Sequence, residues 1–125
     1  MGRLLLVPLF FLLTGCPAFD SCSNTNYRVM AKIKMPPTTS VTKFLLIEPG
    51  ASDVDIRNIA SDTCGNHWCN LFIWDDINEM GVRLPLSESQ NNNRVAFYLH
   101  NPGKSLEILS IRGEEFPMGK CTNLR

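Results

Sequence analysis

Short apolar runs that alternate with turn-forming residues are the feature of this sequence that most constrains its fold. Proline, glycine and asparagine separate the runs, and no run of ten or more residues has a convincing helical period. About seven such segments fall within ~100 residues, a spacing typical of a small all-β domain. The sequence therefore predicts a disulfide-stabilised β-sandwich of immunoglobulin-like size, with a small barrel as the alternative.

The individual segments differ in pattern. Residues 27–35 alternate between apolar and polar side chains, which predicts a half-buried strand, whereas residues 42–48 are more continuously apolar and favour a central strand covered on both faces. Two further short strands are expected at 54–56 and 69–74, and the composition of residues 87–93 predicts an exposed loop. The apolar face of the first strand would carry Tyr27, Val29, Ala31, Ile33 and Met35.

The clearest predicted hairpin covers residues 94–112. Its two strands, 94–100 and 105–112, flank the turn sequence Asn-Pro-Gly-Lys. The second strand has apolar side chains on both faces, at Leu106 and Ile108 and again at Leu109 and Ile111. A two-sided strand of this kind indicates either a central position in the sheet or a partner.

The first sixteen residues have the layout of an export signal. Arg3 is their only charge, residues 4–13 are apolar throughout, and the small residues Thr14 and Gly15 precede Cys16. Ten apolar residues at ~1.5 Å each are too few to cross a bilayer, which needs ~20. The run resembles a bacterial lipobox, and the resemblance implies cleavage after residue 15 and a lipid on Cys16. We expect the lipid to be the chain's contact with the membrane.

The expected organisation is a signal peptide at 1–15, a lipidated tether at 16–24 and a single β domain at 25–125. Removal of the signal leaves 110 residues, with 11 Lys and Arg against 12 Asp and Glu. No basic cluster is available to neutralise phosphates, so the sequence predicts no nucleic-acid partner.

The four remaining cysteines, Cys22, Cys64, Cys69 and Cys121, predict two disulfides, because the compartment outside the inner membrane is oxidising. Three pairings are possible. We expect Cys64 to pair with Cys69, which are close in sequence, and Cys22 with Cys121, which lie near the two ends of the domain.

Groups able to perform catalysis are few, and the sequence predicts no enzyme. His67 and His100 are the only histidines, and no hydrolase, metalloprotease or phosphate-loop motif includes them. With the thiolates of Cys64 and Cys69 they would make a four-ligand set for zinc or copper, but oxidation to a disulfide is favoured. We therefore expect no metal and no other cofactor.

Two pairs of residues are candidates for contact with a protein partner. His67 and Trp68 stand on the short loop between two cysteines, where a rigidly held aromatic side chain would be a good anchor. The alternative is that Trp68 folds back over the edge of the domain. Asp75 and Asp76 form an acidic pair after a strand, and their alternative is a loop that caps the next segment.

The chain has Leu13-Thr14-Gly15-Cys16 followed by Pro17, a predicted small disulfide-bearing β domain and no recognised catalytic motif. In these features it resembles small periplasmic lipoproteins that act as immunity proteins against type VI secretion effectors. The resemblance implies a protein anchored to the inner or outer membrane, on its periplasmic side, that binds and neutralises a toxin injected by a sister cell. Two alternatives stay open: a structural or accessory envelope lipoprotein, and an inhibitor of a host hydrolase such as lysozyme.

Overall fold

A computed structural model describes residues 26–119. The predicted signal peptide, the predicted lipidated tether with Cys16 and the predicted Cys22–Cys121 disulfide lie outside these residues.

The described residues form one six-stranded sheet in which the strands lie side by side in chain order. The strands are β1 (Tyr27–Lys34), β2 (Val41–Ile47), β3 (Cys69–Trp74), β4 (Ala96–Asn101), β5 (Leu106–Ile111) and β6 (Glu114–Glu115). Neighbouring strands are antiparallel except β2 and β3, which are parallel. The connections contain helices α1 (Asp53–Cys64) and α2 (Glu88–Asn92) and 3₁₀ turns at Ile77–Glu79 and Pro102–Lys104.

The predicted small, mainly β fold with a disulfide is confirmed. Within residues 26–119 the strands form a single open sheet, not the two facing sheets of a sandwich or a closed barrel. The reason lies in the connection between β2 and β3, because parallel neighbours need a crossover and a helix supplies it. That helix, α1, forms the second layer of the domain.

The main hydrophobic core lies between α1 and one face of the sheet. The helix contributes Ile56, Ile59 and Ala60, all with no exposed surface. The sheet contributes side chains from its four central strands, including Leu45, Leu71, Ile73, Tyr98 and Leu109. Because burial of one large apolar side chain stabilises by roughly 1.5–3 kcal/mol, this layer accounts for much of the stability of the fold.

The predicted strand at 54–56 is wrong, because these residues begin α1. The Ser52 hydroxyl accepts a hydrogen bond from the Asp55 amide at 3.0 Å, and the Asp55 carboxylate accepts one from the Ser52 amide at 3.4 Å. This capping box satisfies two amides that the first helical turn leaves unpaired. The buried residues Ile56, Ile59 and Ala60 then recur at helical spacing.

The predicted single apolar face of the first strand is also wrong. The register of β1 against β2 shifts by one residue at Met30, which is a β-bulge. Tyr27 and Val29 therefore lie on the α1 side of the sheet, whereas Ala31 and Ile33 lie on the opposite side. One inserted residue reverses the facing of every later side chain in a strand.

The hairpin predicted for residues 94–112 is confirmed as β4 and β5, and residues 41–47 form a central strand covered on both faces. Residues 87–93 differ from the expected loop, because five of them form α2. Ser87 and Gln90 cap this short helix in the same reciprocal way as Ser52 and Asp55 cap α1.

The Cys64–Cys69 disulfide is present, as predicted, and joins the end of α1 to the start of β3. Closing so short a loop stabilises the fold by about 2 kcal/mol in the chain-entropy treatment. We expect the Cys64→Ala/Cys69→Ala variant to lose about that free energy of unfolding, measured by urea denaturation. A loss close to zero would contradict this, and Ser61→Ala, at a partly buried position in the same helical turn, serves as the control.

Candidate partner-binding surfaces

The two predicted pairs of partner-binding residues lie at opposite ends of β3 and do not form one site. Trp68 immediately precedes the strand and Asp75 immediately follows it. Seven residues of extended chain at ~3.3 Å each separate them by roughly 23 Å. The structure therefore places the two predicted pairs of residues on two distinct candidate surfaces.

His67 and Trp68 lie on the disulfide-closed turn. His67 is exposed and Trp68 is partly buried, and both line a groove of about 460 Å³ beside the Pro102–Lys104 turn. The Trp68 carbonyl accepts a hydrogen bond from the Val41 amide at 3.2 Å, which fixes this turn to β2. Trp68 thus partly covers the sheet end while its remaining surface faces the groove.

Asp75 and Asp76 differ in their roles. The Asp76 carboxylate accepts a hydrogen bond from the Asn78 amide at 2.9 Å and so caps the 3₁₀ turn Ile77–Glu79, the capping role that the sequence also allowed. Asp75 lines a groove of about 380 Å³ with Tyr27 and Pro49.

The sheet face opposite α1, here called the open face, has an apolar strip that sequence analysis did not assign as a site. The strip runs across β3, β4 and β5 and consists of Phe72, Phe97, Leu99, Leu106 and Ile108. All five retain exposed surface, and Leu106 is 37% exposed. The sequence signal was the two-sided apolar pattern of residues 105–112, whose other side, Leu109 and Ile111, is buried under α1.

Residues 75–93 cover one end of the open face, and we call them the covering segment. The Trp74 indole N–H donates to the Gln90 carbonyl at 2.9 Å, and Trp74 has no exposed surface. Gly81 allows close packing within the segment, because a Cβ there would lie 2.7 Å from the Leu86 side chain. The covering segment thus buries Trp74 and leaves the apolar strip partly exposed.

Arg94 lies where the apolar strip meets the covering segment. Its guanidinium carbon is 5.5 Å from the centre of the Phe72 ring and 5.6 Å from that of Phe97, within cation–π range. One guanidinium nitrogen donates to the Asn91 side-chain oxygen at 2.8 Å. Burial lowers the pKa of Arg94 from its usual value, but an arginine remains charged at neutral pH.

The residues considered for a metal site do not assemble one. Cys64 and Cys69 are joined as a disulfide, and no cluster of three or more potential ligands occurs among residues 26–119. His100 lies opposite Cys69 in the β3–β4 pairing, and its buried Nδ1 atom has no hydrogen-bond partner in the described part of the chain. His67 is on the exposed turn.

The buried Tyr98 hydroxyl donates to the Glu107 carboxylate at 2.6 Å. Burial, followed by the hydrogen bond and charge of Glu107, raises the pKa of Tyr98. The folded state therefore holds the phenol proton more tightly than the unfolded state, whose tyrosine titrates near pH ~10. This contribution to stability is complete below that pH and is lost as pH rises through the folded-state pKa.

We accordingly expect the stability of the protein to fall as pH rises above ~10, and Tyr98→Phe to make that fall shallower. At neutral pH the same variant loses about 1 kcal/mol with its hydrogen bond. Urea denaturation across the pH range measures both effects. Tyr27→Phe is the matched comparison: burial also raises the pKa of Tyr27, whose hydroxyl donates to Asp62 at 2.9 Å, but Tyr27 is only partly buried, so its effect on the slope should be smaller. Equal slopes for wild type and Tyr98→Phe would contradict the prediction.

Comparison with protein-family models, curated proteins and solved structures finds no match to this chain. Among residues 26–119 no helix is both long and apolar enough to cross a membrane.

Proposed function

We propose that this chain is a lipid-anchored envelope protein that works as a binding module and neutralises a toxin delivered by the type VI secretion machinery of sister cells. The observation that carries the binding role is the apolar strip on the open face. One face of the sheet is covered by α1, whereas the strip on the other keeps large side chains partly exposed. A contiguous apolar surface of this kind is typical of protein interaction sites.

The surroundings of the strip favour a protein partner. Its residues come from paired strands, so the backbone hydrogen bonds of the sheet hold them at fixed spacing. Phe72 and Phe97 present aromatic rings whose centres are 5.0 Å apart. Because aromatic side chains lose little conformational entropy on binding, they are frequent anchors in interfaces.

The envelope location and the immunity role rest on the sequence. The resemblance to a lipobox supports a lipid tether on Cys16. Residues 17–24 would then limit the distance between the domain and the bilayer to at most ~3.3–3.6 Å for each residue of the tether. A toxin that acts in the periplasm or on the membrane would meet its inhibitor there. A rigid domain with one binding surface is sufficient for neutralisation.

The test is a competition between kin cells. A strain lacking the gene is grown on a solid surface against its parent, with the parent's type VI machinery either intact or disabled. We expect the mutant to be killed only by the parent with intact machinery and to be rescued by the wild-type gene.

Rescue by a secreted form with Cys16→Ser measures how much the anchor contributes. Equal survival in both contests would contradict the immunity role. An envelope defect of the mutant grown alone would instead support the accessory role.

A further inference from the structure

A groove of about 390 Å³ adjoins the apolar strip at Phe97. It lies between the end of α2, the start of β4 and the turn after β5. Its polar lining comes from Asn91, Asn92, Ser110 and two arginines, Arg94 and Arg112. We call it the Arg94 groove.

The positive charge of Arg94 is balanced by no acidic group in the groove. None of the lining residues, all within 26–119, is acidic, and Arg94 makes no ion pair within that range. Glu115 is paired with Ser110 across β5 and β6 but does not line the groove. The immediate partners of Arg94 are the neutral amide of Asn91 and two aromatic rings.

A guanidinium in this position is prepared to bind an anion. The guanidinium is held by contacts with the Phe72 and Phe97 rings and by its hydrogen bond to Asn91, so less conformational freedom remains to be lost on binding. Partial burial has already removed some of its water. A guanidinium binds carboxylates and phosphates through paired N–H donors, and such charge-assisted hydrogen bonds are about twice as strong as neutral ones.

The available charge favours a singly charged anion. Arg112 also lines the groove, but one of its guanidinium nitrogens lies 3.4 Å from the Asp53 carboxylate and forms an ion pair with it. A phosphate dianion would therefore face one uncompensated arginine, whereas a carboxylate matches it in charge and in shape. The rings beside Arg94 favour an apolar group next to that carboxylate.

We infer that the Arg94 groove is a subsite for a carboxylate that stands beside an apolar side chain on a protein partner. This inference rests on the proposed binding function and gives it a chemical selectivity. The apolar strip receives the partner's apolar surface, and Arg94 fixes its orientation through the acidic group.

The inference is tested with small probes on the full-length protein in detergent. Butanoate and its neutral analogue butanamide are titrated at constant ionic strength, and backbone amide shifts are followed by NMR. We expect butanoate to move the signals of Arg94, Phe97 and Ser110 and to bind about tenfold or more tightly than butanamide. A detergent blank corrects for partition of the probes.

Two variants are expected to remove the preference for butanoate over butanamide by different means. Arg94→Gln deletes the charge, and Asn91→Asp places a carboxylate against the guanidinium in competition with the probe. Lys104→Gln removes one positive charge at the opposite end of β4 and is expected to keep the preference for butanoate. Asn91→Asp keeps the test valid if Arg94→Gln does not fold.

Equal binding of butanoate and butanamide by the wild type would overturn the inference, as would a preference that survives in Asn91→Asp. Inorganic phosphate forms a third arm, and tighter binding of phosphate than of butanoate would overturn the assignment to a carboxylate. No toxin takes part in these titrations. A negative result together with protection in the kin competition would remove the subsite alone and leave the proposed function in place.

Discussion

Replacement of Trp74 by alanine is expected to lower the free energy of unfolding by about 3–5 kcal/mol, the usual cost of removing a large buried aromatic side chain. Trp74 has no exposed surface, and its ring stacks at 6.4 Å from Phe44 and 6.3 Å from Phe72. Its indole also ties the covering segment to the sheet through the Gln90 carbonyl. Urea denaturation followed by circular dichroism measures the loss.

The chain supplies its own control, because its second tryptophan stands at the other end of β3. Trp68 is partly buried, so Trp68→Ala should cost much less than Trp74→Ala. Trp74→Phe keeps an aromatic ring but leaves the Gln90 carbonyl without its donor, and we expect a loss of about 1–3 kcal/mol. Equal losses for the two alanine variants would mean that the covering segment does not pack on Trp74 as described.

The elements that could be predicted from the sequence are those whose signals are local. Asn101, Pro102 and Gly103 mark the turn between β4 and β5, so the hairpin follows from neighbouring residues alone. Cys64 and Cys69 are close enough in sequence for their pairing to be expected without knowledge of the fold. The apolar run of β2 likewise predicted a strand buried on both sides.

Helix α1 was missed because its buried side is narrow and partly made of small or polar residues. Ile56 and Ile59 are its only large buried aliphatic residues, and Asn58 is buried beside them. The Ser52 and Asp55 capping box was the available signal. The bulge at Met30 had a weaker signal: Val29, Met30 and Ala31 interrupt the apolar–polar alternation, but only the pairing with β2 shows that the register shifts there.

The apolar strip shows why a surface is harder to predict than a strand. Phe72 and Phe97 are paired across β3 and β4, with their rings tilted at 47° to each other. Their exposure depends on where residues 75–93 fold, which is a tertiary property. The position of Arg94 over the two rings is likewise a tertiary property, because the fold must bring all three residues together.

Lysine substitutions in the apolar strip are expected to abolish protection in the kin competition without unfolding the protein. In the variant Leu106→Lys/Ile108→Lys, two charges would have to be buried against an apolar partner surface. Central interface residues commonly contribute 2 kcal/mol or more each, so we expect affinity to fall by about 100-fold or more. Because both side chains are already partly exposed, the free energy of unfolding should change by only about 1 kcal/mol.

A matched variant separates loss of binding from a general effect of added charge. Val29→Lys/Val54→Lys makes the same change at two exposed valines, 45% and 47% exposed, of which Val29 lies on the α1 side of the sheet and Val54 on α1 itself. It should protect as well as the wild type when both proteins are present at equal abundance. If both variants protect, the strip is not the interface. If both fail at equal abundance, the defect comes from charge or anchoring, and binding must be assigned to another surface, of which the His67–Trp68 groove is the next to test.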